Sequence, residues 1–151
     1  MILEYAKVHS DALSPTRANP SDAGLDVFYS PENPTTVALH PGDSKILGTG
    51  LKFGVPHGYM LEVKNRSSVA AKKSLIVGAC VIDSGYDGEV FINLHNVGGS
   101  VQCVSHGDKI AQLVLTPVVH FRPVITEESE LYTHPMTISN RGDGALGSTD
   151  E

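Results

Sequence analysis

Short runs of alternating apolar and polar residues, broken every few positions by glycine or proline, make up most of the chain. In "TTVALHPGD", Val37 and Leu39 fall on one face, and in "GLKFGVPHG" Leu51, Phe53 and Val55 do. In "GEVFINLHN", Val90, Ile92 and Leu94 alternate with Phe91, Asn93 and His95, while "DKIAQLVLTPVV" is apolar enough for a central strand. Successive side chains on a strand point to opposite faces, so period-two runs with frequent turn residues predict an all-β sandwich or barrel. Only "SSVAAKKSL" (Ser67 to Leu75) reads as a helix, a short one with Ser67 as its N-cap. After Thr126 the alternation stops, and "EESELYTHPMTISNRGDGALGSTDE" reads as an extended arm and tail. These signals predict a single domain, with a β framework over residues 1–126 and an arm over 127–151.

Composition narrows the classes of partner. A chain of 151 residues suits one core, and a formal net charge of -6 argues against a nucleic-acid or membrane-surface binder. It leaves open a polyphosphate ligand held locally by a few arginines and a divalent cation. The two cysteines, Cys80 and Cys103, lie far apart and form no metal-ligand spacing, so they read as buried, reduced thiols. The opening "MILEYAKVHSDALSP" holds no long apolar run, so no signal peptide is expected, and no stretch reaches the length of a membrane span. The expected location is the cytoplasm, or the nucleus or host-cell interior for a eukaryotic or viral chain, rather than outside the cell.

Four polar clusters interrupt the strand-and-turn pattern. In "SDAGLDVFYS", small residues and Gly24 permit close backbone approach between Asp22 and Asp26; a tight turn entering a strand is the plainer reading. In "NRSSVAAKKSL", Arg66, Ser67 and Ser68 precede the short helix, an arrangement suited to phosphate or simply to capping. In "VGACVIDSGYDGEVFINLHN", Asp83 follows Val81 and Ile82 at a strand end, where a carboxylate can act as general base on water. The turn "SGYDGE" then predicts a hairpin whose open backbone groups can read a flat base, with Tyr86 against a sugar; a plain Asp- and Gly-rich hairpin is the alternative. In "GDKIAQLVL", Gln112 is a lone amide in an apolar strand and must find partners.

Taken in order, these segments resemble the motifs of the trimeric all-β dUTP pyrophosphatases (dUTPases). "DAGLD" resembles the family's Ala-Gly-x-Asp, "RSS" its Arg-Ser-Gly/Ser, and "VIDSGYDGE" its Val-Ile-Asp-x-x-Tyr-x-Gly-Glu. "GDKIAQL" is similar to Gly-Asp-Arg/Lys-Ile-Ala-Gln-Leu, and "RGDGALGST" to the glycine-rich tail; the set spans positions 22 to 149. The resemblance implies a distorted, jelly-roll-like β-barrel with one short helix and an extended C-terminal arm. It implies a homotrimer with shared active sites, hydrolysis of dUTP to dUMP and pyrophosphate, and Mg2+ as cofactor. Such an enzyme limits uracil incorporation into DNA and supplies dUMP for dTMP synthesis.

Carried over residue by residue, Asp83 orients and deprotonates the attacking water, and Tyr86 packs on the deoxyribose. The backbone around Cys80, Val81 and Ile82, and near Phe91, pairs with uracil. Arg66, Ser67, Ser68 and Gln112 contact phosphates, and Asp26 acts near the metal through water. Arg141, Ser148 and Thr149 hold the outer phosphates, with Leu146 and Gly147 closing over the nucleotide. This makes the Arg141-Gly142-Asp143 tripeptide incidental rather than an adhesion signal.

Three positions depart from the family pattern. Cys80 stands where glycine is frequent, Asn65 where proline often precedes the arginine, and Leu146 where a phenylalanine usually stacks on uracil. Proline fixes its own φ, so Asn65 leaves the entry to that turn less pre-set. The rival readings are a dUTPase-like nucleotide-binding regulatory protein and, more remotely, a dCTP deaminase. The deaminases carry a catalytic glutamate on the strand after the hairpin turn, and the matching position here is Asn93.

Overall fold

The computed structural model describes residues 1–131 and 142–143. The chain divides into two compact units, Met1–His120 and Phe121–Glu151. The first carries all the strands found among the described residues: β1 (Tyr5–Lys7), β2 (Leu25–Phe28), β3 (Thr36–Leu39), β4 (Ser44–Gly48), β5 (Leu51–Phe53) and β6 (Tyr59–Lys64). After helix α1 (Ser67–Lys73) come β7 (Leu75–Val77), β8 (Val81–Asp83), β9 (Phe91–Asn96), β10 (Gln102–Ser105) and β11 (Lys109–Pro117). In the second unit a 3-10 turn spans Glu128–Glu130. The fold is all-β with one short helix, as the alternation predicted.

The strands pair antiparallel in four groups: β1 with β5, β3 with β10, a four-stranded sheet ordered β2-β11-β6-β8, and a three-stranded sheet ordered β4-β9-β7. No sheet closes on itself among the described residues, so the framework is four open sheets around one core rather than a closed barrel. β11 lies between β2 and β6, which is why "DKIAQLVLTP" is apolar along its length. The register breaks between Lys109 and Ala111, and this bulge turns both Ile110 and Ala111 into the core.

The inward faces follow period two. Leu61 and Val63 of β6, Ile92 and Leu94 of β9, and Leu113 of β11 are buried together with Val27, Leu39 and Leu51. Each such aliphatic side chain contributes about 1.5–3 kcal/mol by leaving water. Asn96 continues the inward row of β9 as a polar member. Its Nδ2 donates to the carbonyls of Leu39 (2.9 Å) and Ser100 (2.8 Å), and its Oδ1 accepts from Gly98 N–H (3.0 Å), so its burial leaves no amide group unpaired.

Three local expectations are corrected. α1 ends at Lys73, and Leu75 begins β7, because Ser74 adopts the left-handed conformation (φ 53°, ψ 33°) that closes a helix. Its N-cap is Arg66, with no side-chain capping bond, so Ser67 lies inside the first turn. Cys80 and Cys103 are free, as read, but both are exposed. Cys103 alternates with the inward Val104 on β10, and Cys80 sits on the connection into the edge strand β8.

The third concerns the hairpin around Tyr86. Asp83 and Phe91 do flank a turn, in which Tyr86 N–H donates to the Asp83 carbonyl at 3.3 Å. The two strands do not pair with each other, however. β8 pairs with β6, whereas β9 pairs with β4 and β7. The chain passes from one sheet to another at this turn.

Candidate functional site

β2 and β11 bring the first polar cluster together. Asp26 lies opposite Gln112, and Phe28 opposite Lys109. Val27 between them is fully buried, so Asp26 and Phe28 share the outward face. Lys109 passes over the Phe28 ring, with Nζ 5.9 Å from its centroid, and donates to Asp26 Oδ2 at 2.9 Å. From the end of β6, Arg66 Nε donates to the other oxygen, Oδ1, at 2.8 Å. Asp26 is therefore shared by two cations, its side chain only 14% exposed.

Partial burial pushes the Asp26 carboxyl up, but hydrogen bonds and charge from Lys109 and Arg66 outweigh it and hold it below the ordinary carboxylate range. Arg66 is thereby fixed at Nε, while its Nη1 reaches Ser68 Oγ at 3.4 Å. A guanidinium held at one nitrogen keeps its terminal groups oriented for an oxyanion, phosphate or carboxylate.

Gln112 is tied into the same corner. Its Nε2 donates to the carbonyl of Asn65 at 2.9 Å, the residue just before Arg66. Gly24 explains the close approach read from the sequence. A Cβ there would lie 2.5 Å from Gln112 Oε1 and 3.1 Å from its Cβ, so any larger residue would push the amide from its present position. Arg66, Ser68, Gln112 and Asp26 are thus brought together, with Ser67 in the same turn of α1. Sequence reasoning did not assign roles to Lys109 and Asn65. Lys109 stood within "GDKIAQL", where its cationic position was a usable signal, whereas Asn65 was visible only as a departure.

A second group gathers around β8. Asp83 ends that strand, as predicted, opposite Met60 of β6, and it is exposed. Val81 is exposed and Ile82 half-buried. Tyr86 is 46% exposed, and its hydroxyl donates to the Glu89 carbonyl at 2.8 Å, fixing the turn. Phe91, opposite Gly48, is 48% exposed at the start of β9. An open groove of about 820 Å3 runs past Tyr86, Leu3, Tyr5 and Phe53, and none of the arginine cluster lines it.

Asp83 and the Asp26–Gln112 pair lie on the same four-stranded sheet but apart, while Phe91 belongs to the other sheet. Gln112 faces Lys64 at one end of β6, and Asp83 faces Met60 at the other. Four residues of strand separate those ends by about 13 Å. Within one chain, Asp83 is not beside Arg66. Arg141, Leu146, Gly147, Ser148 and Thr149 lie outside the described residues.

Among the described residues no group of three or more His, Cys, Asp or Glu side chains could hold an ion. With both Asp26 oxygens engaged by cations, direct coordination there does not fit.

The all-β framework presents an anchored arginine, a glutamine and hydroxyls at one sheet corner, an arrangement whose chemistry suits an oxyanion. A family model described as dUTPase matches residues 10–149. The deoxyuridine 5'-triphosphate nucleotidohydrolase of Gloeobacter violaceus is 42% identical over 139 residues, 89% of this chain and 87% of the relative. Its counterpart from Chlamydia muridarum is 34% identical over 149 residues, 97% of each chain.

Among solved structures, the dUTPase of Staphylococcus bacteriophage 80alpha with dUPNHPP aligns at a TM-score of 0.80 and 25% identity, covering 97% of both chains. A mutant dUTPase from phage phi11 of S. aureus, described for its coordination of a structural Mg(II) ion, aligns at 0.77 and 26%, covering 85% of this chain and 98% of that one. The chain belongs to the dUTPase family. No helix among the described residues is long and apolar enough to cross a membrane.

Proposed function

We propose that this chain hydrolyses dUTP to dUMP and pyrophosphate. The observation that carries the reading is the double grip on Asp26, which orients Arg66 beside Gln112 in a chain matched by the dUTPase model from residue 10 to 149. In the reaction, a water oxygen attacks the α-phosphorus in line. The bond from that phosphorus to the bridging oxygen breaks, pyrophosphate leaves, and the water's proton passes to Asp83. Phosphoryl displacement needs chiefly positioning and charge neutralisation, which Arg66, Gln112, Ser67 and Ser68 supply on one side and Arg141, Ser148 and Thr149 on the other. Uracil meets the backbone of Cys80, Val81 and Ile82 and of Phe91, with Tyr86 against the deoxyribose and Leu146 and Gly147 over the base.

Magnesium enters this reading as part of the nucleotide substrate, where it offsets phosphate charge. Its usual shell keeps several waters. That agrees with an Asp26 whose influence passes through Arg66 and water rather than a direct bond.

The span between Asp83 and Arg66 supports a homotrimer in which one site takes these two residues from different chains. The strand positions that flank them, Met60 beside Asp83 and Lys64 two residues before Arg66, are about 13 Å apart, a long reach for groups that act on neighbouring atoms. The test is pyrophosphate release from each deoxynucleoside triphosphate, with and without Mg2+. Selective release from dUTP supports the reading, and release from none of them overturns it.

A further inference from the structure

The strap from Val77, the last residue of β7 and partner of Leu94, through residues 78–80 leads directly into Val81 and Ile82 of β8, and beyond Val77 it belongs to no ladder. Its backbone groups are nevertheless taken one after another. Val77 N–H donates to Asn65 Oδ1 at 2.7 Å, and Gly78 N–H to the Asn93 carbonyl at 2.9 Å. Ala79 N–H donates to Asn93 Oδ1 at 3.3 Å, and the Cys80 carbonyl accepts from Val63 N–H at 2.7 Å. Two asparagines thus hold three consecutive amides.

Each asparagine is itself held. Asn93 Nδ2 donates to Ser44 Oγ at 2.9 Å, which turns Oδ1 toward Ala79 and toward His95 Nε2, 2.9 Å away. For that last contact His95 must carry its proton on Nε2. The strap also passes so close to Asn93 and His95 that a Cβ on Gly78 would collide with both side chains. Asn65 is held through its carbonyl, which accepts from Gln112 Nε2 at 2.9 Å. Its side chain therefore joins the turn bearing Arg66 to the strap bearing Cys80.

We propose that Asn65 is a positioning residue. Its side chain fixes the 77–80 strap, and hence the backbone that reads the base, relative to the turn that binds phosphate. Asn93 fixes the same strap from the opposite sheet. This goes further than the loss of a proline at position 65 implied, because the turn is set by a cross-link instead of a ring. A carboxamide oxygen supplies what a proline cannot. The inference rests on the dUTP-hydrolysis reading.

The experiment compares kcat and KM for dUTP and for dCTP, by pyrophosphate release, in the wild type, Asn65→Ala and Asn65→Asp. Both nucleotides carry the same triphosphate, so the ratio of their kcat/KM values isolates base reading from charge. Asn65→Ala is expected to raise KM for dUTP and lower the dUTP-to-dCTP ratio about threefold to tenfold, the scale of one solvent-accessible hydrogen bond. Asn65→Asp keeps the acceptor for Val77 N–H and is expected to restore the ratio.

A ratio unchanged in Asn65→Ala, or unrestored in Asn65→Asp, overturns the inference while leaving the enzyme reading intact. A wild type that releases no pyrophosphate from dUTP overturns that reading and the inference with it. Hydrogen exchange on the wild type decides the matter even where Asn65→Ala fails to fold. Slow exchange at Val77 and Ala79 supports the clamp, and exchange at unstructured-peptide rates overturns it.

Discussion

Asp26 Oδ1 accepts a hydrogen bond from Arg66 Nε at 2.8 Å, while Lys109 Nζ occupies the other oxygen at 2.9 Å. The carboxylate is the hinge of this corner, since it fixes the angle of the guanidinium and balances two positive charges on a sheet face. Because its folded pKa is depressed, its stabilising effect is fully present above the unfolded value, near 3.9, and is lost as pH falls through the folded one. Asp26→Asn should therefore melt below the wild type at neutral pH, with the gap closing below about pH 4. Melting temperatures across that range check this, and a gap that stays constant into acid contradicts the assignment.

Arg66→Lys tests the geometry of the cation rather than its charge. Lysine cannot donate to Asp26 through Nε while presenting a planar fork to phosphate. The expected loss in kcat/KM for dUTP is about tenfold to a hundredfold, or about 1.5–3 kcal/mol, with little change in melting temperature. Full activity in the lysine variant would show that charge alone suffices.

Gly24→Ala places a Cβ 2.5 Å from Gln112 Oε1 and 3.1 Å from its Cβ. The amide must move, which strains its exposed bond to the Asn65 carbonyl, at a cost of about 0.5–1.5 kcal/mol. A lower denaturation midpoint together with a raised KM for dUTP is expected. A variant with unchanged KM would separate Gln112 from substrate binding.

Leu146, outside the described residues, carries a prediction made from the sequence. If the tail covers the base, Leu146→Phe adds a stacking surface, and base–aromatic stacking contributes about 1–3 kcal/mol. Binding of a non-hydrolysable dUTP analogue should tighten by about tenfold. Unaltered binding would mean that the tail does not use this position over uracil.

What was legible in the chain follows the range of each physical signal. The alternation in "GEVFINLHN" set Val90, Ile92 and Leu94 inward because period two is local to a strand. Asp83 at a strand end and Gly24 at a close approach were visible for the same reason. The partners were not visible. Gln112 finds the Asn65 carbonyl 47 residues away, and Arg66 finds Asp26 across 40, contacts that only the sheet order creates.

The hairpin reading failed because the turn at Tyr86 joins strands of two different sheets, and a turn sequence does not say which edges its flanks will choose. The cysteines failed as buried thiols because exposure depended on the outward register of β10 and on the edge position of β8. Ser67 was displaced as the cap by one residue, the usual uncertainty of a helix boundary.

The central claim is that Asp83 activates the water that attacks dUTP. Its direct measurement is steady-state pyrophosphate release from dUTP by the wild type and by Asp83→Asn at matched protein concentration. Loss of a general base costs about a hundredfold to ten-thousandfold, so the variant should retain about a hundredth of wild-type kcat or less while still binding a non-hydrolysable dUTP analogue. An Asp83→Asn variant that turns over dUTP at the wild-type rate would contradict the account.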